Sequence, residues 1–306
     1  MADNGIAFRN APARLFAIAG LSVALVLVAA CSSANGGSSG GGGPSGGGGA
    51  SGGGGLSGGG VSQGGTGSAG APLTASKALM ATASNSQKVN SAVETLIVRE
   101  TGVQSGSTAG VIQFQRRPTT LIGESLKLTS NGKSSYIKAI LSETTFYLSE
   151  PALTKQLGKP WIKLDLSAMK KTPLGSISQL VHSLQSNNFL NLTQLFAVTK
   201  NVRVVGKQTV DGVATTEYAG SFRTADAIKA LSPAYRKVLA PEFQALGNTP
   251  VSFRVWIDGH HYTRKVTDVE TINGETISTT VFVKAINQPV HITIPPSSQT
   301  VAPPGM

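Results

Sequence analysis

Side chains that could act as nucleophiles, bases or metal ligands are few and scattered along this chain of 306 residues. The chain has one cysteine, Cys31, and four histidines, His182, His260, His261 and His291. His260 and His261 fall in a predicted hairpin turn, where adjacent side chains usually point apart, and His182 lies among apolar residues of a predicted helix. The spacings typical of zinc, phosphate or calcium sites do not occur. We therefore predict no catalytic residue, no metal site and no cofactor.

The residues before Cys31 indicate a role for this lone thiol. Arg9 and Arg14 precede an apolar run over residues 15–30 that ends in small side chains, which is the three-part pattern of an export signal. As a helix the run would reach about 24 Å, short of the ~30 Å hydrocarbon core of a bilayer. An ordinary secretory signal is the alternative interpretation.

The tetrapeptide VAAC at residues 28–31 resembles the bacterial lipobox. This resemblance implies cleavage before Cys31, a diacylglyceryl group with acyl chains such as palmitate on its thiol, and attachment of the exported lipoprotein to the outer face of the cell membrane. Two acyl chains give the stable membrane attachment that one chain does not.

Composition divides the chain into four segments. Residues 1–30 form the lipoprotein signal peptide, and residues 31–72 are rich in Gly and Ser, which predicts a flexible tether with a root-mean-square span of roughly 35 Å. Residues 73–296 have the composition of one globular domain with a sizeable core. Residues 297–306 form a Pro-rich tail.

The net charge of +11 comes from dispersed basic residues. Dispersal argues against a nucleic-acid interface, so no nucleic-acid partner is expected. Two interpretations stay open: a solvated basic surface, or attraction to anionic lipid headgroups or wall polymers.

Apolar periodicity predicts an α+β domain dominated by antiparallel strands. The predicted helices cover residues 74–90, 174–184, 190–198 and 225–246. The predicted strands cover residues 93–101, 109–116, 119–129, 134–141, 144–149, 161–166, 201–210, 213–222, 251–257, 262–271 and 276–286. The strands would form one large curved sheet, and helices over its concave face would enclose an apolar cavity.

The side chains that could line such a cavity are apolar or aromatic residues of the predicted strands. They are Phe114, Leu126, Ile137, Phe146, Leu148, Trp161, Val204, Tyr218, Phe222, Phe253, Val255 and Val281. The same residues fit ordinary core packing, and the sequence does not separate the two roles.

Two stretches resemble the LppX/LprAFG lipoproteins of mycobacteria and other actinobacteria. Residues 210–220 read VDGVATTEYAG, similar to a hairpin of that family, and residues 250–258 read PVSFRVWID, similar to its next strand. The resemblance implies a LolA- and LppX-like half-barrel that holds the acyl chains of a lipid.

The sequence thus predicts a monomeric, membrane-anchored lipoprotein that binds or carries an acylated lipid or glycolipid in the cell envelope without catalysing a reaction. One alternative is an envelope sensor or protein-interaction module with a filled core. An envelope hydrolase is a further, less favoured alternative.

Overall fold

The structure is a computed structural model that describes residues 74–102, 105–130, 132–166, 189–236, 240, 248–272 and 274–302. The signal peptide, the tether, Cys31 and the predicted helix at residues 174–184 with His182 lie outside the described residues. The division of the chain into those segments therefore stays a prediction.

The described residues form one 12-stranded sheet, four α-helices of seven or more residues and a 3-10 helix at Ser297–Gln299. The α-helices are α1 (Ala75–Ser86), α2 (Pro151–Leu157), α3 (Phe189–Ala197) and α4 (Thr224–Ala230). The strands are β1 (Ser91–Thr101), β2 (Gly106–Gln115), β3 (Leu121–Ser130), β4 (Lys133–Ser142), β5 (Thr145–Ser149), β6 (Trp161–Asp165), β7 (Val202–Val210), β8 (Val213–Arg223), β9 (Pro250–Asp258), β10 (Thr263–Ile272), β11 (Glu275–Ile286) and β12 (Thr300–Val301).

Two antiparallel meanders join at the centre of the sheet. The strand order is β12-β6-β5-β4-β3-β2-β1-β11-β10-β9-β8-β7, so the first meander runs from β1 to β6 and the second from β7 to β11. They meet where β1 pairs with β11, with Leu96 opposite Val281. The predicted antiparallel, strongly curved sheet is confirmed.

Tight turns set the register of neighbouring strands. Between β7 and β8, Asp211 and Gly212 both have positive φ, 48° and 81°, as the two central positions of a type I′ turn require. Asp tolerates this conformation and Gly adopts it without cost, so the Asp-Gly pair fixes Val210 opposite Val213. The predicted hairpin there is confirmed.

Helices cover one face of the sheet, which we call the inner face. In α1, Ala78 and Leu79 are buried against strand residues, and Phe196 of α3 stacks on Phe253 of β9 with ring centroids 4.5 Å apart. The two helices touch each other, and the Gln194 side chain donates a hydrogen bond of 3.0 Å to the Ala83 carbonyl. The predicted cover of helices over the concave face is confirmed.

The end of the chain crosses the opposite, outer face. After β11, residues 287–296 pass over β3, where Ile292 lies against Gly123, and β12 then pairs in parallel with β6. Helix α2 and strand β12 were not predicted. Periodicity gives no signal for β12 because it has only two residues and follows a Pro-Pro pair at residues 295–296.

Candidate functional site

The inner face is a continuous apolar surface built by the alternating side chains of the strands. Leu96 and Val281 lie at its centre with exposures of 0% and 2%, and the buried cluster extends from Leu164 on β6 to Tyr218 on β8. This surface is the candidate site. It joins almost the whole width of the sheet to α1 and α3.

Most of the predicted cavity residues lie in this buried cluster. They are Phe114, Leu126, Ile137, Phe146, Leu148, Tyr218, Phe253, Val255 and Val281, and Phe222 is partly buried against them. Their location fits both cavity lining and core packing, so the role in ligand binding stays a prediction.

Two of the predicted residues lie outside this buried cluster. Val204 lies opposite the buried Tyr218, but it is 53% exposed on the edge strand β7. Trp161 is half-buried and alternates with the buried Ile162 and Leu164, so it points to the outer side of β6. The alternation of these two apolar residues with charged ones was the available signal for this orientation.

Buried carboxyl groups interrupt the apolar inner face, and sequence reasoning missed them. Glu94 on β1 and Glu124 on β3 each lie opposite Ile112 of β2. Burial, together with repulsion from Glu124, raises the pKa of Glu94 to about 8, and burial raises the pKa of Glu124 to about 7. The available signal was the two-residue period of the strand. Glu94 is two and four residues from the buried Leu96 and Val98, so all three side chains point to the same face.

A second group of carboxyls lies nearer the other end of β1 and on the strand β10. We call Glu100 of β1, Asp268 and Glu270 of β10 and Thr279 of β11 the carboxyl cluster. Register places Thr279 opposite Asp268, and it places Ile277 opposite both Glu100 and Glu270. The four cluster residues are only 1–6% exposed.

The electrostatics of the carboxyl cluster favour the neutral form of its acids. Burial and repulsion from Glu275 raise the pKa of Glu100 to about 7, and burial raises that of Glu270 to about 7. Burial raises the pKa of Asp268 well above its usual range, and repulsion from Glu270 adds to this effect. Thr279 faces Asp268 and favours its ionised form, but its hydroxyl lies outside hydrogen-bonding geometry.

A smaller apolar cluster and a surface groove lie beside the carboxyl cluster. Leu195 of α3, Leu231 and Val251 of β9 are almost completely buried together, and the Phe222 ring packs against both apolar clusters. Phe222 also lines an adjacent groove of about 690 Å³. The charged residues of this groove are Lys200, Arg223, Asp226 and Lys229.

The histidines of the described chain lie away from these carboxyls. His260 and His261 form the β9–β10 turn, as predicted, and the backbone N–H of His260 donates to Asp258 Oδ1 at 2.9 Å. His291 is exposed in the segment that crosses the outer face. The described residues contain no group of three or more His, Cys, Asp or Glu that could hold a metal ion.

No family model and no curated protein matches this chain. Among solved structures, LprF from Mycobacterium bovis is similar at 15% identity and a TM-score of 0.44, over 72% of this chain and 96% of that one. The lipoprotein LppX from Mycobacterium tuberculosis is similar at 16% identity and a TM-score of 0.41, over 72% and 98%. A LolA superfamily protein from Nitrosomonas europaea follows at 8% identity and a TM-score of 0.22, over 69% and 92%.

None of the helices in the described ranges is both long and apolar enough to cross a membrane. Attachment to a membrane through lipid on Cys31 stays a prediction.

Proposed function

We propose that this protein binds the apolar chains of a lipid between the inner face of its sheet and the covering helices, as a membrane-anchored, non-enzymatic carrier. The observation that carries the proposal is the inner face itself, an apolar surface that spans the sheet from β6 to β8. Covered apolar surfaces of this extent, with a few polar groups among them, are typical of small-molecule sites.

The surface groove offers an entrance for such a ligand. Phe222 contacts both buried apolar clusters and also lines the groove, so it stands between the interior and the solvent. An acyl chain that enters here would pass the Phe222 ring and meet Phe253, whose ring centroid is 6.0 Å away.

The predicted anchor and the charge of the outer face support a function at the membrane surface. Lipid on Cys31 would fix the protein to the bilayer, and a tether of roughly 35 Å would let the domain reach lipid in the headgroup region. The outer face presents exposed cations, Arg99, Lys127, Lys138 and Lys163, which anionic headgroups attract.

Mass spectrometry of the full chain purified from its own host tests the proposal. We expect a co-purifying acylated lipid in the unmodified protein and its loss in Phe222→Asp, which places a charge at the entrance. Val269→Asp is the matched control, because Val269 is 43% exposed on the outer face. Absence of lipid from the unmodified protein, or equal loss in both variants, would contradict the proposal.

A Cys31→Ala variant separates the anchor from the binding domain. We expect the variant to leave the membrane fraction and to keep its lipid. Lipid lost together with membrane attachment would show that the domain does not hold the ligand by itself.

A further inference from the structure

Three carboxylate oxygens in the carboxyl cluster are buried and have no hydrogen-bond partner among the residues that the structure describes: Glu100 Oε1, Asp268 Oδ2 and Glu270 Oε2. The Thr279 hydroxyl between them is also buried without a partner in the described part of the chain. Buried polar atoms are normally satisfied, because an unsatisfied one keeps the full cost of its desolvation. Four such atoms on three adjacent strands therefore indicate a partner group that lies beyond the described residues.

We propose that the carboxyl cluster binds a protonated amine, carried by a lipid whose apolar chain lies along the inner face. This inference rests on the proposed lipid-binding function and names the chemistry of the ligand's polar end.

Hydrogen-bond acceptors lie on both sides of the apolar residue Ile277. Glu100 and Glu270 are each one strand away from Ile277, so their Cα atoms are roughly 10 Å apart and their side chains flank it. Asp268 lies two residues from Glu270 on the same face of β10, beside Thr279. A primary ammonium offers three N–H donors, which is the number of unpartnered carboxylate oxygens.

A positive charge fits the electrostatics better than a neutral donor does. The carboxyls repel one another when ionised, and a bound cation relieves that repulsion and makes charge-assisted hydrogen bonds. The proposed cation is organic, since the described residues contain no group of three or more His, Cys, Asp or Glu side chains that could hold a metal ion. An ammonium group accepts a longer spacing, about 2.8 Å from nitrogen to oxygen.

The surroundings of the cluster supply contacts for an apolar chain. Val251 lies opposite Glu270 and Phe253 lies opposite Asp268 across the β9–β10 pairing, and both are almost completely buried. Phe253 stacks on Phe196 of α3. A ligand with its amine at the cluster would therefore place its first methylene groups against these rings and side chains.

Isothermal titration of the full chain carrying Cys31→Ala with decylamine and with decanol tests the inference. These probes have equal chains and differ in the cationic head. We expect decylamine to bind about tenfold more tightly than decanol, as charge-assisted hydrogen bonds provide. The triple variant Glu100→Gln, Asp268→Asn and Glu270→Gln should lose this preference and keep its affinity for decanol.

Glu217→Gln in the same background is the matched control, because Glu217 is an equally buried carboxyl on the outer face, away from the apolar surface that would hold the ligand's chain. It should keep the preference for decylamine. Equal binding of the two probes by the Cys31→Ala protein, or a preference that persists in the triple variant, would overturn the inference and leave the lipid-binding proposal standing. Failure of both probes to bind would contradict the lipid-binding proposal and, with it, the inference.

Discussion

The inner and outer faces of this sheet differ in whether their buried carboxyl groups have hydrogen-bond and ion-pair partners. On the outer face, Glu217 is 1% exposed and its Oε1 lies 2.9 Å from Arg254 Nη1, while Gln208 Nε2 donates to its Oε2 at 3.0 Å. Asp258 accepts from Arg264 at 2.7 Å and from the backbone N–H groups of His260 and Tyr262. Both outer carboxyls are fully engaged.

On the inner face, the carboxyl cluster leaves oxygens of Glu100, Asp268 and Glu270 without partners among the described residues. The same chain can satisfy a buried acid, as Glu217 demonstrates, so burial alone does not account for the unpaired inner acids. Unpaired polar groups in an otherwise well-satisfied protein indicate function more often than stability. The contrast can be tested by changing matched residues on the two faces.

The largest difference is expected for apolar packing. Phe253→Ala removes a ring that is 2% exposed and stacked on Phe196, so we expect a loss of about 3–5 kcal/mol in the free energy of unfolding, measured by chemical denaturation. Val269→Ala on the outer face of the neighbouring strand should change it by less than about 0.5 kcal/mol. A small effect of Phe253→Ala would mean that the covering helices do not depend on this contact.

Neutralising one buried acid on each face should have effects of opposite sign. Glu94, with a pKa of about 8 in the folded protein against 4.5 ordinarily, binds its proton more tightly when folded, so its contribution to stability is complete below about pH 4.5 and falls as the pH rises towards 8. Glu94→Gln should therefore stabilise the protein by about 3 kcal/mol at pH 8 and by much less at pH 5.

Glu217→Gln is the outer-face counterpart. It removes the charge that pairs with Arg254, so we expect destabilisation at pH 8. Thermal unfolding at pH 5 and pH 8 measures both variants. Two effects of the same sign would contradict the distinction between paired and unpaired acids.

Removing the cation that pairs with the buried Glu217 should have an intermediate effect, since the Arg254 side chain is itself 56% exposed. Arg254→Met keeps much of the apolar stem and leaves Glu217 Oε1 buried without its partner, so we expect a loss of about 1–3 kcal/mol. Because Gln208 still donates to the other oxygen, the loss should stay below that of a fully orphaned charge. Denaturation at pH 7 provides the measurement, and an unchanged stability would show that Gln208 alone satisfies the carboxylate.

The positions of the strands could be predicted from the sequence because alternation and turn residues are local signals. Alternation located strands β1 to β11 within a few residues, and Asp211-Gly212 marked one hairpin through the backbone conformations that these residues tolerate. The pairing of β1 with β11 and the path of residues 287–296 depend on contacts between distant parts of the chain. Periodicity carries no information about such contacts.

The candidate site was only partly predictable for a related reason. Phe114 and Phe253 have the apolar character that places a strand residue inside, and both are buried. Glu94 and Asp268 contradict that rule, since a charged residue in a strand ordinarily indicates the solvent side. Their location follows from the register of each strand, which the apolar neighbours fix and which carries the acids inward. Val204 shows a different limit, because it lies opposite the buried Tyr218 and is nevertheless 53% exposed on an edge strand.

The smallest effect is expected for the exposed ion pair of the outer face. Lys284 Nζ lies 2.7 Å from Asp211 Oδ2, but their side chains are 41% and 47% exposed, so water already solvates both charges. Lys284→Ala should cost about 0.5 kcal/mol, part of which comes from the contact of its ammonium with the Phe282 ring at 4.7 Å. In 1 M NaCl the electrostatic part should weaken, because the Debye length falls to about 3 Å at that ionic strength. A larger share of the loss from Arg254→Met should persist in the same salt, since Glu217 is only 1% exposed, although the Arg254 side chain is 56% exposed. Equal salt sensitivity of the two variants would show that burial of Glu217 is not what strengthens its pair with Arg254.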